Sequence, residues 1–353
     1  MHIINGESFT EVFGTSENDT IEYTGDFSTI YALEGDDIID NYYTIYALIQ
    51  GNAGNDTIFN YGEYSTIDAS EGNDLIVNHS SNSMILGGAG RDTIHSDDYV
   101  VFVNLDGGAD MDFIYSYSDY ATIDGGAGMD SVTNYYGEGV IVGGGKDNDV
   151  VTNYGELCTV SGGEGNDSIS NYASNVSIEG GAGRDSIYSV VNLTNIQING
   201  GRGNDTIRND SSYSMIYGNS DADSIFSSSL ASHVYLNGDS GNDTITNYSD
   251  GATIDGGMGN DWIFVHVNNT SIIYKNHEGM DYIFPYAENT VITIPDATVE
   301  DVSYAGAYLD YYEVKFNDTS GIFVQQDENK PIFQLKDGSR YVYSDAKANF
   351  VKV

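Results

Sequence analysis

An aspartate recurs every 18, 19 or 20 residues through most of the chain. The series runs Asp19, Asp37, Asp56, Asp74, Asp92, Asp112, Asp130, Asp149, Asp167, Asp185, Asp205, Asp223, Asp243, Asp261 and Asp281. Two residues after each comes an aliphatic, from Ile21 to Ile283, and seven before each comes another, from Val12 to Ile254. Only the last unit breaks the second column, with Tyr274. The repeat is therefore two nine-residue halves, each ending in a short β-branched strand. Such a strand buries one or two side chains and cannot fold alone. Stacked coils, in contrast, bury a continuous aliphatic column between two parallel sheets. The expected fold is all-β, a parallel β-solenoid of about fifteen 18–20-residue coils, with the Ile columns as core.

The two halves differ in their turns. One reads Gly-Gly-x-Gly-x-Asp, as in Gly87-Gly88-Ala89-Gly90-Arg91-Asp92. The same pattern places Gly125 and Gly128 before Asp130, Gly162 and Gly165 before Asp167, and Gly180 and Gly183 before Asp185. It places Gly200 and Gly203 before Asp205, and Gly256 and Gly259 before Asp261. Near-matches end at Asp56, Asp112, Asp149, Asp223 and Asp243. The other half has no such loop and often carries Asn-Tyr, as at Asn60-Tyr61 and Asn153-Tyr154. The extra residues of longer units fall there: Ile94 to Leu105 and Ile187 to Ile198 each span eleven. The Gly-Asp turn is expected to keep a fixed length, as a coordination site requires.

Charge says what such a site holds. With 12 Lys+Arg against 54 Asp+Glu, the formal charge is −42. That excludes nucleic acid as a partner, because phosphate contact needs Lys and Arg, and it disfavours anionic membranes. It also destabilises a compact state by self-repulsion, so bound cations are expected. Glycines permit tight reversal and let carbonyl oxygens converge without a Cβ in the way. An all-oxygen, anionic, flexible shell suits Ca²⁺, whereas Mg²⁺ demands tighter octahedral geometry. Zinc or copper calls for His or Cys, but the chain has one Cys and six scattered His. A metal-free reading stays open: Asn and Asp ladders can stabilise stacked turns by hydrogen bonding alone.

The nonapeptide Gly-Gly-x-Gly-x-Asp-x-aliphatic-x resembles the calcium-binding repeat of the RTX (hemolysin-type) family of secreted proteins, over about residues 10–285. The resemblance implies a right-handed parallel β-roll with Ca²⁺ between loops of adjacent coils. It implies ligands from loop Gly carbonyls and from the sixth-position carboxylates Asp56, Asp74, Asp92, Asp112, Asp130, Asp149, Asp167, Asp185, Asp205, Asp223, Asp243 and Asp261. Family rolls repeat the loop every nine residues and bind metal along both edges. Here only alternate halves qualify, so one calcium row of roughly ten sites is expected. The loops ending at Asp19, Asp37 and Asp281 match poorly.

No catalytic constellation emerges: the sequence has no Ser/His/Asp spacing, no H-x-x-x-H pair and no phosphate loop. A flat Thr array for ice binding is also missing, since the residue after the loop Asp varies from Thr57 to Leu75, Phe113 and Trp262. The Asn-Tyr turns read as a stacked corner, or else as an aromatic stripe for a glycan or a cell-surface protein. Cys158 reads as an inert small residue, and Arg91, Arg184 and Arg202 as screens for the acidic edge. Residues 1–285 are expected to form the roll and 286–353 a β-strand cap that doubles as a secretion segment. The start, from Met1 to Gly6, has no basic and apolar leader. No apolar stretch is long enough to span a membrane as a helix. The expectation is an extracellular protein, exported without a cleaved N-terminal signal and acting as a structural or adhesive module. The alternatives are a surface-layer or fibre subunit assembling through an uncapped N-terminal end, and a carbohydrate-binding or carbohydrate-active accessory domain.

Overall fold

The structure is a computed structural model. It describes residues 1–275, 279–298, 301, 304–308, 311–316, 320–325, 330–344 and 349–353. The chain is an all-β parallel β-solenoid, without an α-helix among the described residues. It divides into two compact units, Met1–Ser177 and Ile178–Val353.

In the first unit, each coil after the first contributes one four-residue strand and one six-residue strand. Leu75–Asn78, Thr93–Ser96 and Phe113–Ser116 exemplify the short set, and Thr66–Glu71, Met84–Ala89 and Asn104–Ala109 the long set. Pairing is parallel and in register: Ile76 lies beside Ile94 and Ile94 beside Ile114, while Ile67 lies beside Ile85 and Ile85 beside Leu105. The period-two alternation of each strand points these residues inward, where they are fully buried. A buried Ile is worth roughly 1.5–3 kcal/mol, so each coil gains a few kcal/mol only when its neighbours cover it.

The second unit repeats the arrangement, with Ile207 beside Ile225 and Ile225 beside Ile245. Its last Asp unit departs from expectation. Ile272, not Tyr274, continues the core column beside Ile254. The turn before Asp281 is therefore two residues longer than its counterparts, so the Gly-Asp turn does not keep one length throughout. Tyr274 is buried inside the longer turn, where its hydroxyl donates to the Gly279 carbonyl at 2.8 Å. Parallel pairing continues past Pro285: Val291–Ile294 joins Ser271–Ile273, and Gly321–Gln325 joins Met280–Pro285. Antiparallel strands follow, including Tyr304–Tyr308 against Tyr311–Lys315 and Arg340–Ser344 against Asn349–Lys352. The turn expected at Asp337-Gly338-Ser339 is present, with Gly338 at φ +77°. The break expected at Asn317-Asp318 lies outside the described residues.

The Asn-Tyr edge is the stacked corner that the sequence suggested. Asn41 donates to Asn60 at 2.7 Å and Asn60 to Asn78 at 2.8 Å, all fully buried. Outside this ladder, Tyr117, Tyr135, Tyr154 and Tyr172 stack ring on ring at 4.6–5.7 Å. A second column of corner residues adopts φ near +55°: Phe9, Phe27, Tyr46 and Tyr64 in the first unit, Tyr213 and His233 in the second. Such a conformation is unusual for aromatics, and stacking from coil to coil accompanies it. The insertions of the longer units sit on this edge, where Tyr99 is 94% exposed. Cys158 is a buried free thiol whose S–H faces the Gly137 and Glu156 carbonyls.

Candidate metal centre

The loop aspartates line the opposite edge, and each is almost fully buried. The reason is local. The Gly-rich loop wraps around its own sixth-position side chain, and the strand that follows turns the next residue outward. One carboxylate oxygen is then used across coils. The Asp56 N–H donates to Asp74 Oδ1 at 2.7 Å, Asp74 to Asp92 at 2.8 Å, Asp92 to Asp112 at 2.7 Å and Asp112 to Asp130 at 2.8 Å. Asp130 donates to Asp149, and Asp149 to Asp167, both at 2.8 Å. In the second unit the ladder runs Asp185, Asp205, Asp223, Asp243, Asp261, Asp281, at 2.7–3.1 Å.

The other oxygen is not used by the protein. Oδ2 of Asp37, Asp56, Asp74, Asp92, Asp112, Asp130 and Asp149 is buried without a hydrogen-bond partner. The same holds for Asp205, Asp223, Asp243 and Asp261. A buried, unpartnered carboxylate oxygen is expensive. Burial accordingly pushes these carboxyls up, against the opposing pull of the donated N–H. They reach about 6 at Asp92, Asp130, Asp205 and Asp261, and about 7 at Asp56, Asp74, Asp149 and Asp223. Asp112 and Asp243 reach about 8.

The first glycine of each loop faces this oxygen. A Cβ placed on Gly87, Gly107, Gly125 or Gly144 would lie no more than 2.8 Å from the Oδ2 of its own loop Asp and from the first-position carbonyl oxygen of the next coil. Gly162 supplies that carbonyl over Gly144. Gly180, Gly200, Gly218 and Gly238 repeat the arrangement in the second unit, and Gly256 lies as close to Asp261 Oδ2. The fourth-position glycines Gly90, Gly128, Gly165, Gly183, Gly203 and Gly259 all adopt φ between +111° and +143°. At Gly90, Gly128, Gly165, Gly203 and Gly259, a Cβ would collide with the carbonyl of the preceding coil. The glycines thus keep open a space where carboxylate and carbonyl oxygens converge.

This donor set fits a hard, oxygen-seeking cation. Among the described residues no group of three His, Cys, Asp or Glu side chains could hold a metal, so carbonyl oxygens have to complete any shell. Two loops differ. Ala32 and Ala69 replace the first glycine before Asp37 and Asp74, and their methyl groups are fully buried. Asp74 therefore belongs to a loop that lacks the glycine opening. The substitution is visible in the sequence, but its meaning emerges only once the first-position Cα is seen to face Oδ2.

An outer ladder runs the other way. The Asp36 N–H donates to Asn18 Oδ1 at 3.0 Å, Asn55 to Asp36 at 2.8 Å, and both Asn73 to Asn55 and Arg91 to Asn73 at 2.9 Å. The loops ending at Asp37, Asp56 and Asp74 are thus held to both neighbours by oppositely directed side-chain bonds. Arg91 also lies over the Phe113 ring, 4.7 Å from its centroid, rather than only screening charge.

The model of the RTX calcium-binding nonapeptide repeat matches residues 13–41, 48–60, 68–98, 161–189, 197–211, 233–247 and 253–268. The chain therefore carries RTX calcium-binding repeats in several copies across its length. Among solved structures, it is similar to a hyperactive, Ca²⁺-dependent, β-helical antifreeze protein from an Antarctic bacterium. The identity is 21%, the TM-score 0.51, and the match covers 85% of this chain and 86% of the other. At that identity the likeness shows the fold. A second similarity, to the extracellular lipase LipA of Serratia marcescens, has 13% identity and a TM-score of 0.26 over 72% of this chain and 43% of the other. No curated protein matches the chain.

Proposed function

We propose that this chain is an extracellular calcium-binding β-roll whose folding is driven by Ca²⁺ and which serves as a structural or adhesive module. One observation carries the reading: a row of buried aspartates, each with one oxygen satisfied by the neighbouring coil and the other without a protein partner. The proposed ligands are Oδ2 of Asp56, Asp92, Asp112, Asp130, Asp149, Asp205, Asp223, Asp243 and Asp261, joined for all but Asp261 by the first-position carbonyl of the next coil. Asp167 and Asp185 occupy the same loop position. Calcium bound there supplies the positive charge that the buried carboxylates lack.

The row explains how the chain tolerates its charge. At low cytosolic calcium, repulsion keeps it extended and exportable; outside, millimolar calcium suffices for sites of about 10⁻⁴–10⁻³ M affinity. In this reading residues 286–353 cap the roll and carry the export segment. Ice binding, suggested by the antifreeze relative, is not favoured. The outward row Thr20, Ile38, Thr57, Leu75, Thr93, Phe113 mixes Thr with bulky apolar groups.

Far-UV circular dichroism of chelator-treated protein during a calcium titration tests the proposal, with magnesium as control. A cooperative coil-to-β change with calcium alone is expected. A β spectrum indifferent to chelator would reduce the aspartate row to a hydrogen-bonded ladder.

A further inference from the structure

The corner column of the second unit stops abruptly. Tyr213 and His233 stack at 5.0 Å with their planes 12° apart, both in the left-handed backbone region. The next coil places Gly251 there, at φ +66°. The following coils return to side chains, Asn269 at φ +62° and Asn289 at φ +58°. Register fixes the equivalence, because Thr253 pairs with Ser271 and Ser271 with Val291.

Glycine here leaves one face of an aromatic ring without cover. A Cβ at Gly251 would lie 3.4–3.8 Å from Cδ2, Nε2 and Cγ of His233, an ordinary contact distance. The position has room for a side chain and carries none. Elsewhere the column closes such openings. At Gly139 in the first unit, the Tyr120 ring would lie only 2.9–3.0 Å from a Cβ, so the ring itself fills the space. Along this corner lies a shallow, open surface cavity of about 290 Å³, lined by Tyr213, Met215, His233, Tyr235, Gly251 and Thr253 among others.

We propose that this cavity is a binding subsite for one pyranose ring of a neutral glycan, seated on the open face of His233. A pyranose presents a face of C–H groups, the positive edge that an aromatic face attracts. Its hydroxyls meet the polar side chain of Thr253, which lines the space. The chain's charge of −42 selects against anionic sugars. This deepens the adhesive reading and rests on it only in needing the calcium-folded coil as scaffold.

The test uses the full chain in calcium, with maltohexaose, cellohexaose, laminarihexaose and chitohexaose as probes, read by saturation-transfer NMR. Two variants keep the backbone content: Gly251→Asn fills the cavity with the residue that the next two coils use there, and His233→Asn removes the ring. At least one probe should bind the native chain, and both variants should weaken it tenfold or more while their circular dichroism stays native. No transfer to any of the four probes, or transfer unchanged in both variants, overturns the subsite. Failure of the native chain to gain β structure with calcium would instead count against the calcium reading.

Discussion

Asp130 Oδ1 accepts the backbone N–H of Asp112 at 2.8 Å, while Asp130 Oδ2, equally buried, has no protein partner. One carboxylate thus does two separable jobs. Its first oxygen stitches neighbouring coils together. In the proposed reading, its second oxygen is the one that a cation takes.

The substitution Asp130→Asn separates the jobs. The amide oxygen retains the bond from Asp112, and the amide N–H₂ occupies the Oδ2 position, where it faces the same glycine opening as the Gly144 carbonyl. Without calcium the variant should be more stable than the native chain by about 1–3 kcal/mol, because a buried unpartnered oxygen is gone. With calcium it should be less stable and bind fewer ions. Denaturant melts in chelator and in calcium check both signs. A variant destabilised equally in both conditions would mean that Oδ2 has no metal role.

The same carboxyls make the metal-free fold pH-dependent. Their folded values near 6 to 8 lie above an unfolded value of about 3.9, so the folded chain binds more protons between those limits. Their protonation stabilises the fold fully below about pH 4, and that contribution is lost as pH rises through 6 to 8. Chelated protein should therefore hold more β structure at pH 5 than at pH 8.5. Protons and calcium then compete for one oxygen, so apparent calcium affinity should fall as pH falls from 8 to 5. A chelated chain that is more folded at high pH would contradict the argument.

How much of this could be read beforehand follows from where the information lies. The Ile columns were legible because each coil repeats the same inward position, as Ile94 and Ile114 show by lying side by side. The glycine and aspartate positions were legible for the same reason. The division of labour within each carboxylate was not, because it depends on which oxygen the neighbouring N–H reaches. Seven residues before Asp281 stands Tyr274, not the core residue, because that turn has gained two residues; Ile272 keeps the register. Gly251 carried no signal in isolation, since glycine on a turn is ordinary. It acquires meaning only beside the ring of His233.

The first-position glycine offers a third test. Gly107→Ala places a methyl no more than 2.6 Å from Asp112 Oδ2 and the Gly125 carbonyl, both of which must shift. Overpacking of this kind costs about 1–3 kcal/mol, and the opening closes as well. The variant should lose calcium stoichiometry and stability together. Ala69→Gly runs the experiment in reverse: it opens the loop of Asp74 and should add a calcium site. Equilibrium dialysis with a chelator-buffered calcium series counts the ions. Unchanged stoichiometry in both variants would show that the first-position space is not where the cation is held.

The opposite edge should answer differently to mutation. Asn60 accepts from Asn41 at 2.7 Å, donates to Asn78 at 2.8 Å and accepts the Gly62 N–H at 3.1 Å, all in a fully buried corner. Asn60→Ala strands these groups and should cost about 3 kcal/mol. Asn60→Asp should cost more: it loses the donor to Asn78 and buries a charge, with no cation row on this edge to neutralise it. Neither loss should be recovered by raising calcium, in contrast to the loop edge, where calcium sets the sign of the Asp130→Asn effect. Melting both variants at two calcium concentrations checks the contrast. Full calcium rescue of Asn60→Asp would place a cation at the Asn corner and break the one-sided assignment.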